Sequence, residues 1–324
     1  MNVLFVMGSI VLGSAGAWFM YRYAFRFGLI DQPNERSSHS ISTPRGGGIG
    51  ILLAFLIAGF FFPKNYFFVF VSIIMGIIGF LADRHDILPK VRLFVQIIVS
   101  TIVVISFKGL PTSVVAVMLF LFWIVFITGT TNVYNFMDGI DGIAGVTGLV
   151  GFALMSFFLF STTNDPDMAL MSLVLSMGCL GFLPFNLLKA RVFMGDVGSV
   201  FLGFMFSFFV VKLSTSIGIF LCLIMLLSTF YADGLLTMFY RWRRGENLMQ
   251  AHRSHLYQYA CNELETPHWI VSLSYALTQL IFGFFALLTY SKGIAWQLVL
   301  FVVFGAFSLF IYRVIKSIKP TLAQ

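Results

Sequence analysis

The chain alternates long apolar runs with short polar breaks. Apolar stretches occupy residues 3–24, 46–62, 66–81, 93–107, 113–131, 140–160, 168–186, 197–213, 216–239, 270–290 and 294–312. They are continuous, unlike barrel strands, which alternate apolar and polar positions in segments of about ten. A hydrocarbon core of about 30 Å is crossed by about twenty helical residues, and backbone in lipid must satisfy its own hydrogen bonds. The pattern predicts an all-α, polytopic integral membrane protein with about eleven transmembrane helices, the shorter ones tilted or ragged. The first run exceeds a signal-peptide core and ends in Tyr21-Arg22-Tyr23 without a small-residue cleavage site, which predicts a retained helix. Residues 1–324 read as one transmembrane domain.

Composition narrows the class. Residues of the AVILMFWYC set make up 59% of the chain and charged residues 10%, against about 25% charged in soluble domains. A soluble enzyme, a disordered chain and a secreted disulfide scaffold are excluded. Cys179 and Cys222 lie in apolar runs and Cys261 in a polar loop, with no CxxC, so neither a zinc site nor a disulfide framework is indicated.

The net charge of +7 points to membrane topology and not to a nucleic-acid partner. Of the 20 Lys and Arg, only Lys64, Lys108, Lys212 and Lys292 fall opposite loop 25–45. The basic excess predicts that this loop is cytoplasmic, with the N-terminus outside and the C-terminus inside. All 5 histidines and all acids except Asp165 and Asp167 fall on the cytoplasmic side as well. A transporter or flippase, the alternative reading, would carry ionisable residues near mid-membrane, where Asp233 is almost alone.

Candidate chemistry sits at the ends of the runs. Ala82-Asp83-Arg84-His85-Asp86 closes the third run. Asp83 and Asp86 share a face if the helix continues; they suit a metal or proton transfer, or a local ion pair with Arg84. Asn132-Val-Tyr-Asn135-Phe-Met-Asp138-Gly139-Ile-Asp141-Gly142 supplies hard oxygen donors without a nearby cation. That set suits Mg²⁺ shared with substrate phosphates, and two acids there are costly without a partner. Asp196 stands before an apolar run between Gly195 and Gly198, as an N-cap or a metal ligand. His252, Arg253 and His255 form a cationic patch suited to a diphosphate. Thr43-Pro44-Arg45-Gly46-Gly47-Gly48 permits a phosphate nest or tight helix packing.

Pro33-Asn34-Glu35-Arg36-Ser37, His39, Thr43–Gly48, Ala82–Asp86, Asn132–Gly142, Val192-Phe193-Met194-Gly195-Asp196-Val197-Gly198-Ser199 and His252–His255 run in order over about 31–258. Together they resemble the polyprenyl-phosphate N-acetylhexosamine-1-phosphate transferases, glycosyltransferase family 4. The His-Arg-Ser-His form followed by Tyr257-Gln258 is most similar to the branch that initiates O-antigen or outer-core synthesis. The resemblance implies a transferase at the cytoplasmic face of the bacterial inner membrane. Undecaprenyl phosphate would attack the β-phosphorus of a UDP-N-acetylaminosugar and release UMP. It assigns Asn135 and Asp196 to Mg²⁺, with Mn²⁺ as an alternative. Asp83, Asp86, Asp138 and Asp141 become catalytic carboxylates; Phe193 stacks on uracil with Asn186 nearby. His252, Arg253, His255, Arg45 and Gly47 bind substrate. Membrane lipid is a partner, nucleic acid is not, and a homodimer is left open. Residues 270–312 carry no identifiable chemistry. One departure stands out: the family has two adjacent aspartates where this chain has Ala82-Asp83. A phosphate monoester is largely dianionic at pH 7, so activity is expected without the first carboxylate.

Overall fold

The computed structural model describes residues 2–33, 41–62, 64, 66–85, 87–247 and 253–318. Helix α1 (Asn2–Tyr23) leads to a short antiparallel pair, β1 (Ile30–Asp31) and β2 (Thr43–Pro44), with Ile30 opposite Pro44 and Asp31 opposite Thr43. Helices α2 (Ile49–Phe60), α3 (Tyr66–Arg84), α4 (Pro89–Lys108), α5 (Val114–Phe136), α6 (Ile143–Thr162), α7 (Pro166–Phe182) and α8 (Asp196–Leu213) follow. The chain ends with α9 (Ile217–Met225), α10 (Ser228–Arg243), α11 (Leu256–Asn262), α12 (His268–Thr289) and α13 (Ile294–Ser317).

Local chemistry sets several starts. Ser113, Asp165 and Ser216 accept the backbone N–H three residues on (3.2, 3.1 and 3.3 Å), capping α5, α7 and α9. Pro166 and Pro89 open α7 and α4, where a missing N–H costs nothing.

Among the described residues, 9 helices are long and apolar enough to cross a membrane, or up to 10 with α9 and α10 counted as one bent span. Two expected spans differ from the sequence pattern. Helix α2 has 12 residues, about 18 Å of rise; it begins after Gly46, at φ 92°, and the N–H groups of Gly47 and Gly48, which a helix start leaves without intrahelical partners, are donated to Phe193 O and Met194 O (both 2.9 Å). The run 216–239 is broken, with α9 and α10 meeting at 90°. Tight turns close the corner, from Leu226 N–H to Leu223 O (3.1 Å) and from Leu227 N–H to Ile224 O (3.2 Å). Buried Gln279 on α12 holds the far side. Its Oε1 accepts from Thr229 Oγ1 (3.2 Å) and its Nε2 donates to Thr147 O on α6 (3.0 Å).

Helix α8 is the centre of the bundle, with 83% of its span buried against 11% for α13. It packs against α3 and α5, while α7 packs against α6, α1 and α2. Small residues allow the α1, α2 and α7 backbones to touch. A Cβ on Gly13 would strike Gly178 O, and one on Gly181 would strike Ile10 O. Ser14 Oγ donates to Gly181 O across the same crossing (2.8 Å). Gly181→Leu is expected to destabilise the protein by about 1–3 kcal/mol through overpacking, read as a lower Tm in detergent; an unchanged Tm would mean the crossing yields.

Candidate functional site

A polar cavity of about 290 Å³ opens at one end of the bundle. Its walls come from chain segments that the topology returns to the same end. These are Asp31 and Arg45 from the β-pair region, Asp83 from the end of α3, Asn135 from the end of α5, and Asp138–Asp141 from the α5–α6 loop. Asn186, Phe193, Gly195 and Asp196 come from the segment before α8, joined by Gln258 of α11 and His268 of α12.

The key contact joins α3 to α8. Asp83 is 2% exposed. Its Oδ1 accepts the Asp196 N–H (2.9 Å) and its Oδ2 the Val197 N–H (3.0 Å). These are donors that a helix start leaves without intrahelical partners. The cap is therefore supplied by a carboxylate from another helix, and the residue before α8 is Gly195, at φ 74°. A Cβ on Gly195 would lie 2.6 Å from Asp83 Oδ2, so glycine is required there for space as well as conformation. Relieved of capping, the Asp196 side chain turns outward. Its Oδ1 accepts Asn135 Nδ2 (2.8 Å) and its Oδ2 pairs with the Arg92 guanidinium. Asn135 Nδ2 also donates to Ser199 Oγ (2.8 Å). With its nitrogen so anchored, the opposite edge of the planar amide presents Oδ1.

The α5–α6 loop carries two different acids. Asp141 is tied down. Its Oδ2 accepts the Ala190 N–H (3.1 Å), its Oδ1 lies 3.5 Å from His268 Nδ1, and its carbonyl accepts Ser272 Oγ (2.7 Å). Asp138 has no such tie among the described residues. Burial, then the neighbouring charges of Asp196, Asp83 and Asp141, push its carboxyl up to about 8. It is the acid that most lacks a cation.

Asn186, expected to bind substrate, spends its amide on the backbone. Its Oδ1 accepts the Gly142 N–H (2.8 Å) and its Nδ2 donates to Val192 O (2.9 Å). It braces the wall. Phe193 lines the cavity, with its N–H donated to Pro44 O (2.8 Å). Arg45 lies 3.7 Å from Asp31, and its Nε is buried without a hydrogen-bond partner among the described residues.

Other expected site residues lie elsewhere. Gly47 does not line the cavity: its N–H is taken by Phe193 O, and a Cβ there would sit 2.8 Å from the Phe182 ring. The glycine triplet thus serves close packing and not a phosphate nest. Arg253 is exposed and outside the lining. His255 is buried against Asp233, with Nδ1 3.3 Å from Oδ1, because Asp233 organises the start of α11. Asp233 also accepts from Leu256 N–H (2.9 Å), Tyr257 N–H (3.2 Å), Thr237 Oγ1 (2.9 Å) and Tyr275 Oη (2.7 Å). Tyr257 Oη in turn donates to Phe136 O (3.0 Å), beside Asn135. Asp86 and His252 lie outside the described residues. The sequence pattern missed Arg92, which read only as a topology charge, and also His268. No spacing signal marks them, since each reaches the site from a different element.

The helices and this carboxylate-lined cavity define a polytopic membrane protein with an acidic site at one end of the bundle. A family profile described as glycosyl transferase family 4 matches residues 65–214. A probable undecaprenyl-phosphate N-acetylglucosaminyl 1-phosphate transferase of Bacillus subtilis is 28% identical over 203 residues, 57% of this chain and 56% of that protein. An undecaprenyl-phosphate alpha-N-acetylglucosaminyl 1-phosphate transferase of Thermotoga maritima is 32% identical over 185 residues, 56% of each chain. A phospho-N-acetylmuramoyl-pentapeptide-transferase of Staphylococcus epidermidis is 30% identical over 231 residues, 60% of this chain and 71% of that protein. The chain belongs to glycosyl transferase family 4. It spans just over half the length of the Bacillus and Thermotoga relatives it matches.

Two outcomes follow from the acids. With its carboxyl raised from 3.8 to about 8, folded Asp138 holds a proton that the unfolded chain sheds. Its contribution to stability is full below pH 3.8 and is lost as pH rises through about 8. A divalent cation bound beside it would offset that loss; the Tm gain on adding Mg²⁺ is then expected to grow between about pH 6 and pH 8.5, measured by scanning fluorimetry, and a pH-independent gain would contradict such binding. Asp233→Asn is expected to cost about 2–3 kcal/mol and to speed amide exchange over 253–262; unchanged exchange would mean that α11 is held by other contacts.

Proposed function

We propose that the cavity transfers an N-acetylaminosugar 1-phosphate from a UDP-sugar to undecaprenyl phosphate. The products are UMP and a polyprenyl-diphospho-sugar, the first membrane step of O-antigen or related surface-polysaccharide synthesis. The observation that carries this reading is the meeting of Asn135, Asp138 and Asp196 in a polar cavity at the end of a membrane helix bundle. Family membership and the printed functions of the relatives support it. The excess of Lys and Arg at the cavity's end of the bundle supports a cytoplasmic site in the inner membrane, with the N-terminus outside and the C-terminus inside.

The reaction makes one P–O bond and breaks one. A lipid phosphate oxygen attacks the β-phosphorus, and the bond to the α-phosphate oxygen breaks as UMP leaves. Little covalent chemistry is asked of the protein beyond positioning and charge neutralisation. Among the described residues, no group of three or more His, Cys, Asp or Glu converges on a common metal position. That fits an ion bound through one or two carboxylates plus substrate phosphates, the habit of Mg²⁺. Asp196 and Asn135 Oδ1 would hold Mg²⁺ or Mn²⁺, which lowers the charge on the diphosphate.

The side chains divide the remaining work. Asp83 fixes the first turn of α8 and so aims Asp196. Arg92 holds Asp196 from the other side through its guanidinium. Arg45 Nε, without a hydrogen-bond partner among the described residues, would be a donor for a phosphate oxygen. Phe193 offers a flat face to the uracil. Asp138 adds the carboxylate that gains most from the cation. Tyr257, Asp141 and Asn186 keep the walls in register.

Membranes containing the protein are expected to transfer label from a UDP-N-acetylaminosugar into a butanol-soluble lipid with release of UMP. Asp196→Asn and Asp83→Asn are expected to abolish transfer, whereas Ala82→Asp leaves it similar or raises it. Full activity of Asp196→Asn would refute the metal assignment, and label transfer without UMP release would refute the reaction.

A further inference from the structure

A second cavity lies away from the acidic one. It is a slot of about 450 Å³ between α10, α12 and α13, roofed by α11, and its volume is that of a ligand pocket, about 300–1,000 Å³. Its walls are apolar, with Leu236, Ile270, Phe304, Phe307 and Ile311 among them. Small side chains, Ala232, Ala260 and Ser308, keep it open. On α13 the lining runs from Phe304 to Ile315, about 16 Å of rise, enough to cross one leaflet of a core about 30 Å thick. On α12 it runs from Ile270 to Thr278, the half of that helix next to α11. The slot therefore occupies the leaflet on the side of the acidic cavity. Water cannot satisfy such a surface, and a void there forfeits dispersion contacts along its whole length.

The rim is amphiphilic. Lys316 Nζ donates to Ser254 O (3.1 Å) and stands over the Tyr259 ring, 4.1 Å from its centroid, and the Tyr312 ring, 5.8 Å from its centroid. Tyr312 lines the slot, so the two rings fix an ammonium group at its mouth. The charges of Arg244, Asp233 and Glu263 also reach Lys316. Asp233 is enclosed by its five hydrogen-bond donors. Glu263 is left to oppose the cations.

We infer that the slot holds one acyl chain of an anionic glycerophospholipid from that leaflet, its phosphate at Lys316. Length, depth, apolar walls and a cation at the rim match that amphiphile. The site is separate from the proposed transfer reaction and does not rest on it. It has a structural consequence. Leu256, Ala260 and Leu264 of the α11 segment form the roof, and Asp233 both lines the slot and holds the start of α11. A chain in the slot braces α11 from below, and α11 supplies Gln258 to the acidic cavity.

The test uses full-length protein, delipidated in detergent and then offered phosphatidylglycerol, phosphatidylcholine or undecaprenyl phosphate, with bound lipid read by native mass spectrometry. One phosphatidylglycerol per chain is expected to survive at collision energies that strip phosphatidylcholine. Lys316→Gln is expected to lower retention about fivefold, the worth of one basic residue at an anionic headgroup. Ser308→Phe, or Ala260→Phe should the first fail to fold, fills the slot and is expected to remove the bound lipid at near-normal Tm. Equal retention of phosphatidylcholine, displacement by equimolar undecaprenyl phosphate, or retention unchanged in a folded slot-filling variant would overturn the inference.

Discussion

The site depends on one buried carboxylate that belongs to the wrong helix. Asp83 ends α3, yet both of its oxygens are spent on the first amides of α8. A charge in a membrane bundle is expensive unless it is paired or hydrogen-bonded. Here the unpaired N–H groups of a central helix meet that need, and the partial positive charge of the helix start adds to it. The same contact fixes the depth of α3 against α8 and leaves Asp196 free to face the cavity. Gly195 is the steric condition for it, since any side chain would strike Asp83. Asn135 then locks to Asp196 and Ser199, which brings α5 into the same arrangement.

The second support is built on a similar principle. Asp233, buried in α10, gathers two backbone amides, a histidine and two hydroxyls, and in doing so holds α11 across the end of the bundle. Tyr257 carries that order to Phe136, next to Asn135. Two buried acids thus organise two helix starts, while Asp138 and Asp196 line the cavity. Sequence alone does not separate these roles, because all four are aspartates at the end of an apolar run or within one.

What the pattern conveyed well was the medium and the gathering of the polar residues at one end. Continuous apolar runs give membrane helices, and the polar residues cluster at one set of ends, so Arg45, Asp83, Asn135, Asp138, Asp141, Asn186, Phe193 and Asp196 do reach one cavity. Hydropathy records contact with lipid or water and carries no information about which helix ends meet. Arg92 looked like a topology charge, and His255 looked like a ligand-facing residue although it is buried against Asp233. The broken span was equally hidden. No glycine or proline stands at Met225–Ser228, and the bend is held by tertiary hydrogen bonds from Gln279. The glycine triplet had a true local signal, close backbone approach, but the approaching backbone is Phe193–Met194 and not a phosphate.

The most direct measurement is an anomalous difference map at the manganese edge from crystals of the full-length protein grown with Mn²⁺ and a UDP-sugar. The account predicts one strong peak bridging Asp196 and Asn135 Oδ1, with Asp83 still bound to the amides of Asp196 and Val197. A peak ligated by Asp83 with those amides released, or no peak in the cavity at saturating Mn²⁺, would contradict it.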